Sequence, residues 1–390
     1  MAFIPYGRQD INQADINAVV DVLKSDFITQ GPAVAAFEQA IADYTNSQFC
    51  IAVNSATSAL HLACMALGVG SGDTVWTSPI TFVASANCAR YCGADVDFVD
   101  INPDTFNLCP DKLGDKLKKH TAEGLPLPKV VIAVHMAGQS CAMQQIHALS
   151  LEYGFNVIED ASHAIGGWYQ GKPIGQCTYS DICVFSFHPV KIVTTAEGGA
   201  LTTNDAKLAK ALSQLRSHGI TRESEDMLVK QPADGDWFYE QQALGFNYRM
   251  TDMQAALGVS QMQRLDEFVQ CRHHLVSVYH ELLQSVPLIL PDCLEECYSA
   301  FHLFIVRVPQ GSMVRKRLFE RLRNNNIGVN VHYIPVHFQP YYQKLGFRKG
   351  HFPLAEAYYE AALSLPLYPS MTVAEQQAVV NVICQFFDEL

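Results

Sequence analysis

The sequence predicts an α/β protein, with a large domain on a mainly parallel sheet and a small C-terminal α+β domain. Three observations carry that expectation. Short apolar runs at 49–53, 130–134, 157–160 and 182–185 read as buried strands, and the amphipathic stretches between them read as helices. Strands that alternate with helices pair in parallel, and ligands then sit beyond the carboxyl ends of the strands. The chain of 390 residues, 49% of them hydrophobic, is long for one core and ample for two. The large domain, with an N-terminal helical segment, is placed over residues 1–250, and linking helices plus the small domain over 251–390.

From the N-terminus, Asn12 followed by Asp15 is a helix start, and Ile16, Val19, Val20 and Leu23 make one apolar face ending near Lys24. Gly31-Pro32 opens a second helix with Val34, Phe37, Ile41 and Tyr44 inward. The connector between them, Asp26-Phe27-Ile28-Thr29-Gln30, is more apolar than a solvent loop requires; composition alone favours a core plug over a pocket wall. After the strand at 49–53, Asn54-Ser55-Ala56-Thr57-Ser58 leads into a helix with Leu60, Ala63, Cys64 and Leu67 on one face. Hydroxyl residues at such a turn suit a plain N-cap or a phosphate seat beside the positive helix end, with nothing local to choose between them. Pro79-Ile80-Thr81-Phe82 starts another helix, with Phe82 read as core, and Val96 to Asp100 alternates as a strand.

A second series follows, from the strand at 130–134 through the loop at 135–139 and a helix to about Tyr153, ending in Val157-Ile158-Glu159-Asp160. Asp160 closes a buried strand, with Ser162 and His163 just beyond. A carboxylate there can hold a pyridine nitrogen protonated, although a lone strand-end aspartate is as readily a turn residue. Next, Ile182-Cys183-Val184-Phe185 delivers Ser186 and, five residues later, Lys191 into an irregular loop closed by Glu197-Gly198-Gly199. A lysine desolvated behind a strand loses its charge and becomes the free amine needed to form a Schiff base with an aldehyde. Pyridoxal phosphate is the obvious aldehyde; a snorkelling surface lysine is the plainer alternative.

A turn-rich polar stretch spans Gln231 to Asp236, ahead of Gly245-Phe246-Asn247-Tyr248-Arg249, and helices follow from Thr251 to about Leu283. The small domain has a strand from Phe301 to Val308, a helix from Met313 to Asn324, a second strand through Val329 and Val331, and terminal helices. Val331-His332-Tyr333-Ile334-Pro335-Val336-His337 reads as an edge that its prolines keep out of the sheet.

A formal charge of −12 without a basic stripe argues against nucleic acid and anionic membranes as partners. No apolar run reaches the 18 residues of a membrane span. The twelve cysteines are scattered through apolar patterns, with pairs at i,i+4 only at Cys88/Cys92 and Cys293/Cys297 and no CxxC or HExxH. Together with an N-terminus lacking a signal pattern, they are expected to be reduced thiols of a cytoplasmic protein without a structural metal.

In their order along the chain, the turn near Ala56, Phe82, Asp160-x-x-His163, Ser186-x-x-x-x-Lys191 with Glu197-Gly198-Gly199, and Gly245-x-Asn247-Tyr248-Arg249 resemble the DegT/DnrJ/EryC1/StrS sugar aminotransferases over essentially the full chain. The resemblance implies the fold type I of PLP-dependent transferases, like aspartate aminotransferase, pyridoxal 5'-phosphate as cofactor, and a homodimer with shared active sites. It implies that Lys191 holds the cofactor and shuttles the proton, Asp160 partners the pyridine nitrogen, and His163 faces the phenolic oxygen. Ser186, Ala56, Thr57 and Ser58 match the phosphate cradle, with Ala56 where many members have glycine. Phe82 matches the stacking ring, and Asn247 a residue reaching the neighbouring subunit's cofactor.

Within the family, the stretches 54–60, 185–188, 194–199 and 331–335 are most similar to members that aminate C4 of a UDP-4-keto-6-deoxy-N-acetylhexosamine in pseudaminic acid synthesis, with L-glutamate as donor. In that group Tyr6, Asp26, Phe27, Ile28, Thr29, Ala56, Ser186, Asn247, Val331, His332, Tyr333 and Ile334 fall at substrate-binding positions. Arg249, Arg307 and Arg315 are candidates for the donor's carboxylates. Other classes consistent with the motifs are another nucleotide-sugar 3- or 4-aminotransferase, a PLP lyase, and a non-catalytic PLP-binding regulator.

Overall fold

Seven strands form the main sheet of this computed structural model, which describes residues 2–229 and 235–390. Residues 230–234, within the stretch read as turn-rich, lie outside the described residues. We label β1 (Phe49–Val53), β2 (Thr74–Thr77), β3 (Asp95–Phe98), β4 (Val130–Val134) and β5 (Asn156–Asp160). The order across the sheet is β1, Gly199–Thr203, Ile182–Ser186, β5, β4, β2, β3, and only Gly199–Thr203 runs antiparallel to its neighbours. Every residue of β4, Ile182–Ser186 and Gly199–Thr203 is buried, as central strands covered on both faces require.

Register decides what reaches the sheet's carboxyl edge. Gly199 sits opposite both Val53 and Ser186, so the turn after β1 and the Ser186 hydroxyl emerge side by side. Asp160, opposite Val134 and Val184, emerges next to them. A Cβ on Gly199 would lie 2.6 Å from the Ala56 nitrogen, so a side chain there would push the turn away from the sheet.

Helices α1 (Gln13–Lys24), α2 (Pro32–Thr45), α3 (Ala56–Ala66) and α4 (Ala84–Tyr91) follow their local signals. Asn12 and Asp15 form a reciprocal capping box on α1, and Pro32 occupies the first turn of α2. The apolar face expected on α1 does not face the core: Ile16 is 48% and Leu23 57% exposed. Asp15 is buried instead, because Arg264 and Gln261 reach it at 2.6 and 2.8 Å. Inward packing of Phe37 and Ile41 on α2 is as the periodicity predicts. The connector at 26–30 is not a plug, since Phe27 and Ile28 are 55% and 51% exposed. Two further corrections concern Pro79-Ile80-Thr81-Phe82, which precedes α4 rather than opening it, and Phe82, which is exposed rather than core.

A separate apolar core joins Leu275, Tyr279, Phe304, Leu318, Leu363 and Ile383, and Ile4 from the N-terminus is part of it. Its sheet pairs Phe304–Arg307 with Ala362–Leu365, and the strand expected through Val329 and Val331 does not form. The backbone at 327–330 makes only single bridges, Ile327 to Ile4 and Asn330 to Ser364, because the N-terminal segment and the later strand occupy its edges. No helix among the described residues is long and apolar enough to cross a membrane.

Candidate active site

A cavity of about 650 Å³ opens over the carboxyl edge of the sheet. Asp160 forms its floor, and its carboxylate is buried without a cationic partner among the described residues. Oδ2 accepts a hydrogen bond from Ser85 Oγ at 2.6 Å, and Oδ1 accepts from Ser162 Oγ at 2.6 Å and Ser162 N at 3.2 Å. Neutral donors fix the carboxylate's orientation without neutralising its charge, which leaves it suited to a protonated ring nitrogen.

Lys191 lies on the loop after Ser186, its N–H donating to the His188 carbonyl at 2.8 Å. Burial pulls its amine down to about 8, against the smaller opposing pull of Asp160. Three histidines share the cavity. Burial, with Lys191 adding to it, drives His332 down to about 3 and His163 well below the usual imidazole range. His302 is depressed likewise, by burial first and then by His163. Hence the imidazoles beside Lys191 are neutral. His163 Nε2 is 3.1 Å from the Tyr333 hydroxyl, whereas its Nδ1 is buried without a partner. Tyr333 holds its proton more tightly than a free phenol, because of burial and then Asp160.

On the opposite wall, Ser55 caps α3 by accepting from Ser58 N at 3.1 Å, and Ser58 Oγ donates to Asn54 at 2.7 Å. The turn is therefore an N-cap, and the cap leaves the Ala56 and Thr57 N–H groups, in the first turn, directed out of the helix. With the Thr57 and Ser186 hydroxyls on the same wall, this is an anion seat as well as a cap. Phe82 is 58% exposed, and its ring lies 6.2 Å from Tyr333 across the opening.

Of the residues expected at the site, Tyr6, Ala56, Thr57, Phe82, Asp160, His163, Ser186, Lys191 and Val331 through Ile334 line this cavity. Ser58 lies just behind them. Asp26, Phe27, Ile28, Thr29 and Asn247 do not; all five are exposed on this chain's surface outside it. Arg249, Arg307 and Arg315 are also outside the cavity, and the guanidinium groups of Arg307 and Arg315 bond backbone carbonyls elsewhere. Sequence reasoning misses Ser85 and His302. A Thr81-x-x-x-Ser85 pair at helical spacing is the only signal for the first, and a histidine heading the apolar run 303–306 the only one for the second.

A lysine whose amine is depressed to about 8, a buried carboxylate without an ion pair, an orphaned imidazole nitrogen and a helix start around one cavity fit pyridoxal phosphate. The chain belongs to the DegT/DnrJ/EryC1/StrS aminotransferase family, which it matches over residues 9–384. It is 35% identical over 391 residues to the UDP-4-amino-4,6-dideoxy-N-acetyl-beta-L-altrosamine transaminase of Campylobacter jejuni, covering 99% of this chain and 98% of that one. It is 36% identical over 394 residues to the UDP-4-amino-4-deoxy-L-arabinose–oxoglutarate aminotransferase of Shewanella sediminis, covering 98% of both. Among solved structures it is similar to Helicobacter pylori PseC, an aminotransferase involved in the biosynthesis of pseudoaminic acid, with TM-score 0.90, 29% identity and full coverage of both chains. The PLP form of the putative sugar aminotransferase Spr1654 from Streptococcus pneumoniae matches with TM-score 0.88 and 29% identity over 99% of each chain. The protein is thus a PLP-dependent sugar aminotransferase.

Proposed function

We propose that the protein moves the amino group of L-glutamate to C4 of a UDP-4-keto-6-deoxy-N-acetylhexosamine, giving UDP-4-amino-4,6-dideoxy-N-acetyl-β-L-altrosamine. The observation that carries the chemistry is the buried Lys191 amine, depressed to about 8, sharing one cavity with the Asp160 carboxylate. Support for the sugar comes from the altrosamine transaminase likeness and from Tyr6 and Val331 through Ile334 along the cavity wall. The arabinose-type relative, equally similar, keeps a different UDP-4-keto-sugar as the second reading.

Pyridoxal phosphate, when bound, supplies the electron sink that makes an α-proton removable. In this reading Asp160 keeps a proton on the ring nitrogen, and Ser85 and Ser162 keep Asp160 pointed at it. Ser186, Thr57 and the first turn of α3 would hold the phosphate, with Ser58 bracing that turn, and Phe82 would pack on the cofactor ring. His163, fixed by Tyr333, meets the phenolic oxygen as a neutral imidazole. Lys191 binds the cofactor at rest. As a free amine, Lys191 Nζ takes the α-proton of glutamate and later returns a proton to C4 of the sugar. The depressed value near 8 keeps about a tenth of the amine free at pH 7.

A panel of UDP-4-keto-sugars offered to the protein preloaded by glutamate tests the reading. Amination of the N-acetylated 6-deoxy sugar at least about tenfold faster than the pentose is expected. Preference for the pentose overturns the substrate assignment while leaving the aminotransferase intact.

A further inference from the structure

The segment from Ser299 to Leu303 runs from the short strand Cys297–Tyr298 to Phe304–Arg307 and passes beside His163 on the way. Ser299, Ala300, His302 and Leu303 are buried. Its path is fixed from several sides: Ala300 N donates to the Gly138 carbonyl at 3.0 Å, and the buried Arg272 donates through Nη1 to the carbonyls of Phe301 and His302, each at 3.2 Å. Gly138 permits the close approach. At φ +105° its backbone favours glycine, and a Cβ there would stand 2.8 Å from Phe301 N and 2.9 Å from the His163 carbonyl oxygen. Phe301 itself is held at φ +43°, a conformation that a non-glycine residue keeps only where its surroundings impose it.

This strap delivers one side chain to the cavity. The His302 ring lies 4.4 Å from that of His163, centroid to centroid, at an interplanar angle of 45°, and both imidazoles line the cavity. Both Nδ1 atoms are buried without partners, so the rings meet by packing and not through a shared proton. The hydrogen bond that His163 makes, from Nε2 to the Tyr333 hydroxyl at 3.1 Å, leaves the imidazole able to turn about its χ2, whose wells are broad. The Tyr333 ring is farther away, at 6.1 Å, so His302 is the nearer of the two rings that limit that turn.

We propose that His302 is a positioning residue for the cofactor: the strap presses its ring on His163 and so keeps the His163 imidazole turned toward the phenolic oxygen of pyridoxal phosphate. This rests on the role read for His163 above. Burial, with His163 next, holds His302 well below the usual imidazole range, so it packs on His163 as a neutral ring and adds no charge beside Lys191.

The test is a double-mutant cycle, read by titrating cofactor-stripped protein with pyridoxal phosphate and following the colour that develops. His302→Ala is expected to weaken cofactor binding by about tenfold alone and by less than about twofold when His163→Ala is already present, as for residues that act through one contact. His302→Phe, which restores a flat ring, is expected to recover affinity to within about threefold of wild type. His302→Asn removes the ring but keeps a polar group in the buried site, and it carries the same cycle if the alanine variant does not fold. Wild-type affinity without the ring overturns the proposal, as does a loss equally large with and without His163→Ala. A His163→Ala protein that binds the cofactor as the wild type does overturns the role read for His163, and the proposal with it.

Discussion

Asp160, Ser186 and the start of α3 reach the cavity from adjoining strand ends whose register leaves them one place to go, whereas the connector at 26–29 and Asn247 lie exposed outside it. The first group sets a buried carboxylate, a hydroxyl and a helix start around one cavity within one chain. The second carries two apolar side chains, Phe27 and Ile28, that the described residues leave about half exposed. The contrast teaches that strand-end register gathers one set of residues into the cavity and leaves the connector and Asn247 outside it. We propose that a second copy, as the family resemblance implies, brings its connector and Asn247 to the cavity.

The comparison breaks most sharply at Lys191. Lys191→Ala is expected to lower transamination by about 10⁴ or more with unchanged circular dichroism, because no other amine lines the cavity. Near-normal turnover without added amines would remove the floor from the account. Asp160→Ala is expected to cost about 10²–10³ and to weaken cofactor binding, since a developing charge loses its fixed counter-charge. Unchanged rates would mean that the ring nitrogen has a different partner.

The second group is tested by mixing. If Asn247 acts across a dimer, unfolding and refolding equal amounts of Asn247→Ala and Lys191→Ala yields heterodimers with one intact site, and about a quarter of wild-type activity returns by random pairing. No recovery would place Asn247 outside the site. Ser85→Ala, which removes one of two hydroxyls on Asp160, is a finer probe. Losing a hydrogen bond to a charged group is worth about 1.5–3 kcal/mol, so cofactor affinity is expected to fall by about ten- to hundredfold in titrations. The mildest effect is pH. The charged form of Lys191 is disfavoured by burial, so the reactive amine grows as pH rises and saturates above about 8. Stopped-flow capture of pyridoxal phosphate by the cofactor-free protein is expected to rise about tenfold per unit below that point and level off beyond it.

Much of the floor was legible in the sequence for a physical reason. Strand ends are marked by apolar runs, and Asp160, Ser186 and Lys191 follow such runs at short, rigid distances. The same logic places β4 at the residues expected and α3 close to them. What it misses depends on contacts remote in the chain. Asp15 inverts the expected face of α1 because Arg264 lies 249 residues away, and Ser85 matters only because α4 packs over the end of β5. The strand expected through Val329 and Val331 does not form, because its backbone meets Ile4 and Ser364 only at single bridges. Phe82 looks like core in composition and is a cavity lip in fact.

The most direct measurement is borohydride reduction of the protein after incubation with pyridoxal phosphate, followed by mass mapping of the lysines. The account predicts a single pyridoxyl-phosphate tag on Lys191, absent from Lys191→Ala. No tag, or a tag placed on another lysine while Lys191 stays unmodified, contradicts it.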